Sequence, residues 1–269
     1  MGFDVSYHPL NELEMEQWYF DRFEDVADEN YGAAQRIAED AGLDDFYKGK
    51  YIDTLRIGVD TEPDDSFDKS HAYYVAVIQG FFRSYFYIRG GAFSFLLNEK
   101  PKYAVYTKPW QQILKHNYEN PIHNRITENY SAGVYLPFEQ VEQLYNDYHN
   151  DAQVKEDVEK FFSHGRLTIF LQAIDYCRTH KLGMLEATEV IEPNPTDLKA
   201  SACYSNLYNC DVAGPMLYRE TAMAQIASIE QQERLAPGTI SGNATYQTIN
   251  GTTPQPPKEK KSFWKRIFG

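Results

Sequence analysis

The chain has 269 residues and a formal net charge of −13, with 39 Asp and Glu against 26 Lys and Arg. A chain of this length can bury most of the surface it exposes when unfolded, so it needs no disulfide or metal staples. Its three cysteines are too few, and odd in number, for a disulfide framework, which fits a reducing compartment.

The charge is unevenly placed. Residues 1–70 carry a net −13, residues 71–257 a net −4 and residues 258–269 a net +4. An acidic front half repels phosphates and argues against direct nucleic-acid binding. It attracts a basic partner and speeds the encounter with it, although a charge run is also an ordinary way to keep a face solvated. The 21 Tyr and 16 Phe supply contact area, in the core or at an interface, and each Tyr adds a hydrogen-bonding tip.

In chain order, Gly2 to His8 alternates apolar and polar residues as a strand does, and Pro9 ends it. The segment from Met1 to Pro9 has neither a basic nor an apolar leader pattern, which predicts a cytoplasmic location. Helices are expected from Glu12 to Asp25 and from Tyr31 to Glu39, the second stopped at Gly42. Tyr51 to Val59 reads as a strand or a helical turn, and Asp60 to Asp65 as an exposed acidic loop. Residues 71–98 form the apolar heart of the chain. Gly80, Gly90 and Gly91 divide it into two expected helices. Its longest apolar run, Ala72 to Ile88, contains Gln79 and Arg83 and falls short of a membrane span.

Pro109 to Leu114 looks like a helix start, and Phe138 to Tyr148 repeats apolar residues at helical spacing after Pro137. Leu167, Phe170, Leu171, Ile174 and Cys177 make another stripe, with His180 and Lys181 in the last turn and Gly183 closing the helix. Met216, Met223, Ile226 and Ile229 mark a last long helix that ends near Leu235. The expected fold is mainly α with a few short strands. Residues 1–235 form a single compact helical domain, 236–257 a flexible linker and 258–269 a basic amphipathic tail. If that tail is helical, Phe263, Trp264, Ile267 and Phe268 share one face among Lys260, Lys261, Lys265 and Arg266. This is the pattern of a weak membrane-surface contact at the inner face of the cell membrane.

No GxSxG elbow, GxGxxG turn, Walker loop or HExxH helix is present. Cys177 and His180 lie three residues apart on one predicted helical face and could form a nucleophile pair. With Cys203 and Cys210 they could also form a zinc site, but that spacing is not a usual knuckle, so no metal and no cofactor is expected. His116 and His123 flank a polar stretch that could line a pocket. These two pairs define a rival reading as an enzyme of unrecognised type. The tail defines another, a membrane-surface adaptor. The partner surface is expected at the acidic residues Asp44, Asp45, Asp60, Glu62, Asp64, Asp65 and Asp68, with Tyr47, Tyr51 and Trp18 as aromatic anchors.

The opening Met1-Gly2-Phe3-Asp4-Val5-Ser6-Tyr7-His8-Pro9 resembles the start of bacterial proteins that accompany secreted antibacterial toxins of type VI and polymorphic systems. The stretches Ala173 to Cys177 and Leu182 to Pro193 are similar to the same group. The resemblance implies an immunity protein, not an enzyme, that binds the toxin of its own locus and blocks its active site. It carries over no functional residue, because such proteins share a role and not a motif.

Overall fold

A computed structural model of the chain describes residues 3–61, 69–115, 126 and 130–243. The fold is mainly α with a small sheet. The chain divides into two units, Met1–Ala222 and Met223–Gly269.

In the first unit, four antiparallel strands form a sheet: β1 (Asp4–Leu10), β2 (Phe86–Arg89), β3 (Ala132–Leu136) and β4 (Gly183–Thr188), in the order β2-β1-β4-β3. Successive side chains on a strand point to opposite faces, and both faces here are covered. On one face Leu10, Tyr135, Leu185 and Ala187 pack with α1 (Glu12–Trp18), α2 (Phe23–Ala27), α3 (Gly32–Asp40), α4 (Asp45–Val59) and α5 (His71–Phe82). On the other, Val5, Tyr7, Val134 and Met184 pack with α6 (Phe93–Glu99), α7 (Phe138–Asn150), α8 (Ala152–Phe161) and α9 (Arg166–His180). Every residue of β1 is therefore buried. The alternation in its sequence reflects two different cores and not a wet face and a dry one. A two-residue ribbon pairs β5 (Ile191–Glu192) with β6 (Ala202–Cys203). The unit boundary falls within α10 (Ala213–Gln232), and α11 (Thr239–Asn243) lies in the second unit, where Glu230 accepts from the Gly238 and Ile240 amides at 2.8 and 2.7 Å.

Several expectations need correction. Pro9 lies inside β1, not beyond its end. Pairing with β2 runs only from Asp4 to Tyr7, whereas pairing with β4 continues to Leu10. At Pro9 the strand thus has one neighbour only, and no ladder bond is lost on the open side. The helix expected over residues 12–25 breaks at Tyr19, whose φ is −132°. Its ring is buried against Gly58 and its hydroxyl bonds His71 Nδ1 at 2.8 Å, so tertiary packing overrides helical continuation. Tyr51 to Val59 is neither strand nor single turn but the second half of α4, which Asp44 caps by accepting from the Tyr47 amide at 2.9 Å. The apolar heart contains a strand, β2, between its two helices, and Gly90 makes the following turn at φ +68°. Residues Trp110–Gln112 form only a short 3-10 turn. Part of the expected linker is helical, in α11.

Gly183 also has a different role. Lys181, at φ 56°, closes α9 in the left-handed conformation, and Gly183 begins β4. A Cβ there would lie 2.7 Å from the Leu136 carbonyl oxygen and would also strike the Tyr135 hydroxyl. Gly183→Ala therefore forces β3 and β4 apart. We expect it to cost about 1–3 kcal/mol in urea unfolding, the usual range for an overpacked core, and an unchanged midpoint would contradict this packing.

Candidate functional site

The exposed face of α4 follows from its spacing. Tyr51 and Leu55 point inward, while Phe46, Lys50, Asp53 and Ile57 trace one solvent-facing row. Phe46 is 64% exposed, with the Lys50 ammonium 5.7 Å from its ring centroid. Asp44 and Asp45 are exposed at the start of the helix, and Asp45 pairs with Lys48 at 3.3 Å. Tyr47 is half-buried; its ring packs at 5.1 Å from Phe46 and 6.0 Å from Phe81. Burial raises the Tyr47 pKa, with smaller upward contributions from Cys203, Asp44 and Tyr208. Tyr208 lies in a 3-10 turn (Leu207–Asn209) and is 89% exposed. Phe46 and Tyr47 thus form an aromatic face with an acidic edge at Asp44 and Asp45. Residues 21–60, which include α2, α3 and α4, hold eleven carboxylates against five bases.

The structure thus places Asp44, Asp45 and Tyr47 together, with Asp60 exposed at the far end of α4. Tyr51 is fully buried and donates to the Trp18 carbonyl at 2.6 Å, so it is a core residue and not an anchor. Trp18 is half-buried, packed 4.6 Å from Phe82 and beneath Arg83. Glu62, Asp64, Asp65, Asp68, His116, His123 and the tail from Lys260 to Phe268 lie outside the described residues. Sequence reasoning missed Phe46 and Tyr208. The helical row of 46, 50, 53 and 57 was a usable signal for Phe46, and nothing local marked Tyr208.

Cys177 and His180 take different directions. Cys177 is buried in the core, and its Sγ donates to the Gly183 carbonyl at 3.3 Å. Burial pushes its thiol well above the usual range. His180 is exposed, stacked on Tyr176 at 4.0 Å and bonded to the Tyr176 carbonyl. Among the described residues no group of three or more His, Cys, Asp or Glu is placed to hold a metal ion.

Two polar constellations absent from the sequence reading lie in the core. Ser6 Oγ is 2.8 Å from His8 Nε2, and His8 Nδ1 is 2.7 Å from Gln79 Oε1. An amide oxygen only accepts, so Nδ1 carries the proton and Nε2 accepts from Ser6. The polarity is that of a nucleophile, base and orienter, but all three side chains are buried and desolvation lowers the His8 pKa to about 3. The arrangement satisfies buried polar atoms between β1 and α5. On the opposite face, the Glu186 carboxylate accepts from the Phe93 amide and from the Ser94 amide and hydroxyl. Burial pushes Glu186 up to about 7, against these hydrogen bonds, which pull it down.

Comparison of the chain with known protein families, with curated proteins and with solved structures returns no match.

Glu186 makes a prediction about pH. Its carboxyl ionises at about 7 when folded and near its ordinary 4.5 when unfolded. Between these values the unfolded chain loses its proton first, so this group's contribution to stability falls as pH rises and levels off above about 7, a total near 3 kcal/mol. The buried His8 acts in the opposite sense, because it stays neutral while the unfolded chain takes up a proton below about 6.5. Glu186→Gln removes only the first contribution. The variant is expected to gain on the wild type between about pH 5 and pH 8 in urea unfolding, and a constant difference would contradict the assignment.

Proposed function

We propose that this chain is an immunity protein that binds a cognate antibacterial toxin acting in the cytoplasm and occludes its active site. The carrying observation is the coincidence of exposed aromatics and acids on one face. Phe46 is 64% exposed beside Tyr47, Asp44 and Asp45, within a segment of strong negative charge. Large exposed aromatics are the usual anchors of protein interfaces, and a surrounding field of one sign steers the partner. Toxins that degrade nucleic acids or nucleotides gather phosphates in basic clefts, and an acidic surface with aromatic anchors complements such a cleft.

The direct test is an activity assay of the toxin encoded beside this gene, with and without the full-length chain. Loss of toxin activity in a stoichiometric complex supports the reading; full activity at saturating concentrations removes it. Within that complex, Asp44→Lys combined with Asp45→Lys is expected to slow association about tenfold at low salt, with little change once salt screens the surface. Phe46→Ala is expected to speed dissociation, at a cost of about 1–2 kcal/mol. Stopped-flow binding separates the two effects.

A further inference from the structure

Three tyrosines from distant parts of the chain surround one cation. Tyr73 lies in the first turn of α5, Tyr130 precedes β3 and Tyr204 follows β6. Their ring centroids are 5.9 Å (Tyr73–Tyr130), 6.1 Å (Tyr73–Tyr204) and 5.8 Å (Tyr130–Tyr204) apart, and the ring planes cross at 90°, 75° and 81°. Three mutually steep rings form the corner of a box. The Lys69 ammonium sits in it, 4.0 Å from the Tyr204 centroid, 5.4 Å from that of Tyr130 and 5.8 Å from that of Tyr73. An ammonium within about 6 Å of several ring centroids is the geometry by which aromatic cages recognise organic cations.

The cage is built into the backbone. Tyr130 holds a left-handed φ of 59°, and its carbonyl accepts from the Ser70 amide at 3.4 Å. The Tyr204 amide donates to the Val190 carbonyl at 3.0 Å, and the Tyr73 hydroxyl to the Glu189 carbonyl at 3.4 Å. Tyr73 is buried, whereas Tyr130 and Tyr204 are only partly covered, so two of the walls reach solvent.

We propose that Tyr73, Tyr130 and Tyr204 form a binding site for a small organic ammonium ion, and that Lys69 occupies it as an internal competitor. A ligand enters as the Lys69 ammonium leaves the three rings. The inference stands independently of the immunity reading.

The test titrates the full-length chain and its Lys69→Ala variant with choline and with n-butylammonium by calorimetry. The first carries a quaternary head and the second reproduces a lysine side chain, so their relative affinities identify the preferred source of the cation. At least one is expected to bind the variant about tenfold more tightly than the wild type, and adding Tyr204→Ala is expected to abolish that binding. The uncharged isostere of choline, with a tert-butyl group in place of the trimethylammonium, is expected to bind about tenfold more weakly than choline. If neither cation binds the folded variant, or if the isostere binds as well as choline, the proposal fails. Should Lys69→Ala not fold, the lysine ε-carbon NMR signals of the wild type decide the matter. The ring-shifted Lys69 signal moves toward the position of a solvated lysine as cation is added, and a signal that stays in place overturns the proposal.

Discussion

The Glu186 carboxylate is buried where β4, β1 and the start of α6 meet, and the fold depends on its being satisfied there. It accepts from the Phe93 and Ser94 amides, which α6 cannot use within its own helix, and the nearby Tyr7 hydroxyl donates to the Gly91 carbonyl at 2.9 Å and accepts from the Phe93 amide at 3.1 Å. Beside it, Gly133 of β3 has no Cβ to collide with the carboxylate. A buried acid with one partner removed leaves a charge or a polar atom without solvation, so this node ties the sheet to one helical layer more specifically than apolar packing does.

The opposite face of the same strands uses another device. Ser6, His8 and Gln79 link β1 to α5 in one polar chain, and Tyr85 stacks on the His8 ring at 5.0 Å. Each helical layer is therefore fixed to the sheet by hydrogen bonds as well as by apolar area. Near neutral pH His8 is held neutral by its lowered pKa, and Glu186, raised to about 7, is only partly ionised. This is how the core accommodates polar side chains without paired charges.

Charge is sorted outward and to one side. The helices from α2 to α4 carry the acidic excess on the surface, and the exposed ring of Phe46 breaks that surface. The tyrosine cage around Lys69 lies where the start of α5, the approach to β3 and the end of β6 come together. The proposed protein interface and the proposed cation site thus use different residues and can be disrupted independently. Among the described residues no helix is long and apolar enough to cross a membrane.

The high aromatic content, the acidic front half, the starts of α1 and α7 and the stripes of α7 and α9 were legible in the sequence. All are set by composition, capping or helical spacing, which act over a few residues. The acidic edge at Asp44 and Asp45 was legible for the same reason. The sequence did not reveal that Tyr51 is a core residue and Phe46 the exposed ring, because which face of α4 is covered depends on α5 and the segment around Trp18. Nor did it reveal β2, β3 and β4, the Glu186 node or the cage of Tyr73, Tyr130 and Tyr204. Strands buried on both faces lack the alternation that marks a half-wet strand, and residues more than fifty positions apart carry no local signal of contact. Local chemistry determined the helices and the charge. Only long-range packing decided which side chains meet.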